Sequence, residues 1–584
     1  MEGGVEGIFN RLLESTGGLQ IIIRAIAAKD SAAIVRAATE ALRKTLSIPM
    51  VLAELKSAEL SNGFRKEGNL HYLNKNYTDA LASYYVALAY APNDSSELKL
   101  AYSNISAVLL AINAYRDCLL NIKAAQKDCP AFLRDKLEKR KVEADKKSMT
   151  EMVRDMIVSE DGMQNYLKFD VKKNTDIPCA SKDVHVNDDK TVVAAKEIKS
   201  GTLVALERAF VSVQDEYNEY TSCYYCHKIC LFFIPCKGCC KALFCSEECK
   251  EKCLEEYHRV ECHIVAYMGT MYKRDVNKMA VRAAIKMSLQ LGWDKLETAS
   301  REIGQKRLKK SSVAEVFDCN NPLSLLSYND QIKVSDDVVV NASLICASAM
   351  YCLGRVPGYL PEAAKKKEKA FDALSRIMLH LNTTFLRSVV SLCSAYDFMH
   401  ESFRCGVQRN VGWFSFTSKL PHSCEPNLLV LGLNDHVALV ALQRIQKGDQ
   451  LTICYTEHFY EMNAPPCPRN TRLRQKRIFN DIQYVCNCRV CLLEWHSRSQ
   501  QPASVTDRQQ DVYIKYKSAM FSGDFKQQIK AISTGLDEFT GCVNTTQHRS
   551  LYEDLRRTLN VCQCAKDLNR SFGCVSKYIF MVDK

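Results

Sequence analysis

CYYCHKICLFFIPCKGCCKALFCSEECKEKCLEEYHRVEC, residues 223–262, decides how this chain is organised. Cys223-x2-Cys226 is followed by Cys236-x2-Cys239, then Cys245-x3-Cys249, then His258-x3-Cys262. Each pair can grip one ion from a turn or from one face of a helix, and tetrahedral zinc takes two pairs. Eight groups therefore fill two zinc ions with none left over. So short a segment has little apolar core, so the metal supplies its folding energy. Cys230, Cys240 and Cys253 lie between the pairs and read as spectators.

Outward from that segment the chain has ordinary globular composition. Its 584 residues exceed one hydrophobic core, which predicts several domains. Hydrophobic residues are 47% and charged residues 25%, with a formal net charge of +12. That balance tolerates acidic partners without demanding nucleic acid. The opening MEGGVEGIFN lacks a basic-then-apolar secretory pattern, and no apolar run reads as membrane-spanning; IIIRAIAAKDSAAIV is broken by Arg24, Lys29 and Asp30. The expectation is a cytoplasmic or nuclear protein, neither secreted nor membrane-bound. Lys139–Lys141 and Lys306–Lys310 are too short to serve as strong import signals. In a reducing compartment the 28 cysteines are thiols or metal ligands, and scattered ones such as Cys118, Cys346 and Cys393 read as small buried hydrophobes.

Residues 1–160 read as helical, and they contain a repeat. Gly68, Ala80, Tyr84, Ala87 and Pro92 fall at offsets 0, 12, 16, 19 and 24; Ser106, Cys118, Ala125 and Pro130 keep the small-residue and proline offsets. This is the 34-residue tetratricopeptide (TPR) pattern, with small residues where paired helices touch and a proline ending the second helix. Two copies are fewer than a free-standing array needs, so this array is expected to pack on its neighbours. Residues 183–213 are rich in Val, Ala and Thr around Ser200-Gly201 and read as strands joined by a turn. Residues 263–400 read as helical, the stretch after Arg404 as strand and loop, and the tail from Thr506 as helical without an interpretable motif.

A second constellation lies downstream. Pro421-His422-Ser423-Cys424-Glu425-Pro426-Asn427 is followed by Gly448–Tyr455 and then by Cys486-x-Cys488-x2-Cys491. Three cysteines in so short a span want a fourth zinc ligand, and Cys424 is available if the fold brings it near. Tyr455 ends a β-rich segment beside them, where a tyrosine can pack or line a cleft.

Taken together these motifs resemble the SET and MYND domain-containing family, in its TPR-bearing branch. CYYC, CKGC, FCSEEC and HRVEC resemble a MYND finger. HSCEPN, GDQLTICY and CNCRVC resemble the NHSCxPN, GEELxxxY and post-SET motifs of a SET methyltransferase. The implied architecture is multidomain α+β: an N-terminal helical segment (1–55), TPR-like repeats (56–160), the first part of SET (180–222), the MYND finger (223–262), a helical insert (263–400), the SET core (401–460), a zinc-bound post-SET (461–495) and a helical C-terminal region (496–584).

The resemblance implies S-adenosylmethionine-dependent protein-lysine methylation and three structural zinc ions. One would sit on Cys223, Cys226, Cys245 and Cys249, another on Cys236, Cys239, His258 and Cys262, and the third on Cys424, Cys486, Cys488 and Cys491. It implies Tyr455 as the catalytic residue, and Pro421, His422, Tyr484 and Lys190 beside the cofactor. It also implies a proline-rich partner at MYND and, at the repeats, an acidic C-terminal chaperone peptide. Arg65, Asn69, Asn104 and Arg134 match the positions of such a peptide clamp; Glu138 opposes it.

Several positions depart from the family pattern. Asp189-Lys190-Thr191 aligns with its Gly-x-Gly, Pro421 with the asparagine of NHSC, and Ile482 with an aromatic; Glu401 and Gly406 compete for an upstream asparagine. Two expectations follow: a lysine methyltransferase with docking modules, or a catalytically weak or inactive adaptor using the same surfaces.

Overall fold

The computed structural model describes residues 17–44, 55–127, 129–155, 173–215, 219–228, 230–271, 275–303, 305–327, 334–388, 390–392, 410–455, 471–482, 485–493, 505–521, 525–540, 547–556 and 558–559. Helices α1 (Gly18–Ala27) and α2 (Ser31–Lys44) come first. The spacing of Ala32, Val35, Ala38 and Leu42 puts an apolar stripe on one face of α2, and all four are buried.

The helical array follows: α3 (Ala58–Leu73), α4 (Tyr77–Tyr90), α5 (Ser96–Ala111), α6 (Tyr115–Gln126) and α7 (Ala131–Asp155). Ser57 and Ser95 cap α3 and α5, their hydroxyls accepting the N–H of Leu60 and Leu98. Gly68 lies against the Tyr84 ring; a Cβ there would come within 2.5 Å of it. The small residue and the aromatic of the repeat are therefore partners across the α3–α4 contact.

The β domain is assembled from both sides of the finger. β1 (Val184–Val186) pairs with β2 (Val192–Ala194). β3 (Leu203–Arg208) and β4 (Val211–Val213) follow, and the finger supplies β5 (Ile234–Pro235) and β6 (Leu243–Phe244). Helix α8 (Glu247–Cys253) runs through a π turn at Leu254–His258 into Arg259–Glu261. The insert carries α9 (Asp275–Leu291), α10 (Trp293–Arg301), α11 (Asp336–Leu353) and α12 (Ala364–Ser388). It also ends in a strand, β7 (Val390–Leu392), in a stretch expected to be helical. β8 (Asn410–Trp413), β9 (Leu428–Leu433) and β10 (His436–Ala441) complete the domain.

Sheet order is β3-β10-β9 and β4-β8-β7, with Glu207 opposite Val437 and Val211 opposite Trp413. Strands preceding the finger thus pair with strands following the insert, so both are excursions from one split β domain. Helix α11 is long and apolar enough to cross a membrane by length and composition, contrary to the sequence expectation. Over half of it is buried here, against α2 and α12. Helices α13 (Thr471–Ile482), α14 (Asp507–Met520) and α15 (Phe525–Glu538) come last. The helical tail has a structural role: Ile529, Ile532, Leu536, Leu551 and Leu555 pack with Leu429, Val440, Cys424 and Cys486 in one core.

Candidate metal centres and active site

Three groups of ligands converge: Cys223, Cys226, Cys245 and Cys249; Cys236, Cys239, His258 and Cys262; and Cys424, Cys486, Cys488 and Cys491. A tetrahedral zinc with Zn–S of about 2.3 Å places its sulfurs about 3.8 Å apart. Observed separations are 3.8 Å for Cys226–Cys245, 3.7 Å for Cys236–Cys262 and 3.7 Å for Cys424–Cys491. The clusters therefore fit the ion in donor set and spacing. Cys230, Cys240 and Cys253 belong to none of these groups.

Local structure explains the convergence. His227 adopts φ 58°, turning the first knuckle so that its N–H reaches the Cys223 carbonyl. Ser246 caps α8 and receives the N–H of Cys249 at 3.1 Å. The π turn brings His258 round, and Cys262 follows one turn later on the same face. In the third cluster the N–H of Cys424 points at the Cys488 sulfur over 3.4 Å, and that of Cys488 at Cys486 over 3.5 Å. The Arg474 guanidinium lies 3.7 Å from Cys491, setting positive charge beside four thiolates.

The second cluster is tied to the β domain by buried charge. Glu261 lies 3.4 Å from Nδ1 of His258, opposite the nitrogen that faces Cys239. It pairs with Arg282 of α9 at 2.7 Å and accepts from the Tyr224 hydroxyl at 2.9 Å. Arg282 also donates to the Ser212 carbonyl on β4. These partners orient the imidazole and join finger, insert and sheet. Sequence reasoning missed them, because an isolated Arg or Glu reads as a solvated charge.

Around Tyr455 three segments lie side by side. Ser423 donates its N–H to Ile453, and Ile453 donates to Pro421. The Asn427 side chain brackets the same strand, donating to Gln450 at 2.8 Å and accepting from Thr452 at 2.8 Å. On the other side Val193 bridges Gln450 antiparallel. The turn Asn187–Thr191, closed by the Asn187 and Lys190 N–H groups, precedes this contact in the chain. Lys190 has φ 68°, the left-handed region glycine adopts freely.

Tyr455 is held at two points. Its N–H donates to Nδ1 of His422 at 3.0 Å, and its hydroxyl donates to the Leu420 carbonyl at 2.6 Å. Burial draws the His422 imidazole down to about 4, so the ring is neutral and Nδ1 can accept. Its Nε2 lies 3.4 Å from the Cys424 sulfur. The Leu420 carbonyl thereby fixes the direction of the Tyr455 hydroxyl. Tyr484, Glu401 and Gly406 lie outside the described residues, as does the side chain of Ile482.

The turn that delivers Leu420 is fixed by buried Glu207 and half-buried Lys419, which sequence reading overlooked. Glu207 on β3 accepts from Phe416 N–H, Thr417 N–H and the Thr417 hydroxyl at 2.8, 2.9 and 2.8 Å. Lys419 donates to the carbonyls of Val316, Ser324 and Ser415 at 2.7, 3.0 and 2.8 Å. Burial pulls Lys419 down to about 7, and the Glu207 carboxylate opposes that shift.

In the helical array Asn69 accepts from both Tyr84 and Asn104, each at 2.8 Å, and Arg65 donates to Asn62. Arg134 and Glu138 are exposed, and Glu138 accepts from Gln126.

A β domain is thus split by a cysteine- and histidine-rich finger, with Tyr455 packed beside a third cysteine cluster. The SET domain family matches residues 190–456. The chain resembles SET and MYND domain-containing proteins along much of its length. It is 24% identical over 562 residues to protein-lysine N-methyltransferase SMYD4 of Pongo abelii, covering 75% of this chain and 68% of that one. It is 23% identical over 619 residues to the mouse protein of that name, covering 86% and 74%. A SET and MYND domain-containing protein of Dictyostelium discoideum is 27% identical over 263 residues, covering 44% of this chain and 65% of its own.

Proposed function

We propose that this chain is an S-adenosylmethionine-dependent protein-lysine N-methyltransferase whose three cysteine clusters hold structural zinc. The observation that carries the reading is the anchoring of Tyr455 to Leu420 and His422 within a SET domain. When bound, S-adenosylmethionine supplies an electrophilic methyl group. Pro421, His422 and Lys190 border its place, with Tyr484 assigned there by resemblance. The Tyr455 oxygen accepts from the substrate amine and orients its lone pair. The zinc sites supply no chemistry; the third one holds His422 and thereby Tyr455.

A specific observation favours the second reading, an adaptor with weak or no catalysis. Lys190 carries a side chain at a left-handed position and Pro421 lacks an N–H, both on the cofactor side. In either reading the helical array and the finger are docking modules, for an acidic C-terminal peptide and a proline-rich partner respectively, in the cytoplasm or nucleus. Calorimetric titration of S-adenosylmethionine into the full chain tests the proposal: saturable heat supports the enzyme, and none at millimolar ligand leaves the adaptor.

A further inference from the structure

Between the first and second metal knuckles runs the segment Leu231–Phe233, and it lies in the core of the helical array. Phe233 is fully buried and meets the Tyr85 ring edge-on at 5.0 Å; Phe232 stacks on Tyr102 at 6.0 Å. The backbone is captured as well. The Leu231 carbonyl accepts from the Tyr85 hydroxyl and the Asn121 amide, both at 3.1 Å. The Phe233 carbonyl accepts from the Tyr102 hydroxyl at 2.9 Å. Three donors on α4, α5 and α6 thus take two carbonyls of an extended segment, the way a peptide-binding groove takes a ligand.

The contact continues to the metal. Asn93 donates to the Lys237 carbonyl at 2.9 Å, inside the knuckle Cys236–Cys239. Lys56, just before α3, donates to the Ala89 carbonyl at 2.8 Å and ties the start of α3 to the end of α4.

We propose that Leu231–Phe233 is the resident ligand of the helical array, and that Asn93 extends this contact to the Cys236–Cys239 knuckle of the second metal site. Metal occupancy and docking of the array are then one equilibrium. A partner needing this face of the array must displace the finger's own segment.

The test uses full-length zinc-loaded protein, a chromophoric chelator and hydrogen exchange. Asn93→Ala and Asn121→Ala should each speed release of one zinc per chain about tenfold, leaving the slowest phases unchanged. When that ion is gone, amides of α4–α6 should lose protection while those of α9 and α12 keep theirs. Phe233→Ala should do both, and the two milder variants decide the matter if it fails to fold. Release phases identical to wild type in both Asn93→Ala and Asn121→Ala would overturn the proposal. So would unchanged α4–α6 protection after loss of the ion.

Discussion

The backbone N–H of Tyr455 donates to Nδ1 of His422 over 3.0 Å. The same ring turns its other nitrogen to Cys424, so the candidate catalytic residue is two contacts from a metal ligand. The third cysteine cluster and Tyr455 share His422, so disturbing one should move the other.

Tyr455→Phe removes the hydroxyl that bonds to Leu420 while leaving the ring and the N–H in place. We expect turnover to fall about a hundredfold or more, by analogy with losing one well-placed polar group. Stability should drop by only about 1 kcal/mol. Initial rates and a urea titration on the same preparation check both; equal rates would remove Tyr455 from the chemistry.

Lys190→Gly relieves a left-handed backbone that costs a side-chain-bearing residue about 1 kcal/mol. Combined with Pro421→Asn, which restores an N–H and a side-chain amide, it should tighten S-adenosylmethionine binding. Calorimetry on the double variant reads this; weaker binding would mean these residues suit the site as they stand.

Arg282→Met leaves Glu261 buried without its cation. Breaking such a pair costs about 3–5 kcal/mol. The second cluster should lose its ion, because Glu261 no longer holds His258. Metal analysis should fall from about three zinc ions per chain to about two. A chain that retains its full metal content would refute the coupling.

His548 is buried against the C-terminal helices, and burial holds its imidazole down at about 4 from an ordinary 6.5. The unfolded chain binds the proton first as pH falls. The stability contributed by the neutral ring is full above pH 6.5 and lost towards pH 4. At pH 5 the loss is about 2 kcal/mol. Denaturation midpoints at pH 7 and 5 should differ less in His548→Gln; an unchanged difference would exclude this ring as the source.

Much of this arrangement is legible in the sequence because metal ligands come at fixed spacing. The pairs from Cys223 to Cys262 predicted two centres, and the structure sorts them into the interleaved sets that the resemblance implied. Gly68 and Tyr84 were legible because a helix pair admits little else there. Buried ions were not. Glu207, Arg282 and Lys419 look like surface charges until the fold supplies carbonyls and amides around them. Nor did Leu231–Phe233 announce that it fills the helical array, since its partners lie over a hundred residues earlier. The tail lacked a motif because its work is packing: Asp537 accepts from Ser200, and Gly201 leaves room for Ser533.

The central claim is that this SET domain transfers methyl groups to lysine with Tyr455 at its centre. The most direct measurement incubates full-length zinc-loaded chain with methyl-labelled S-adenosylmethionine and a cell-extract protein mixture, then quantifies labelled methyl-lysine after acid hydrolysis. The account predicts labelled methyl-lysine that rises with time and enzyme and falls to near background with Tyr455→Phe. Background label from a zinc-replete wild-type chain, or equal label from the variant, would contradict it.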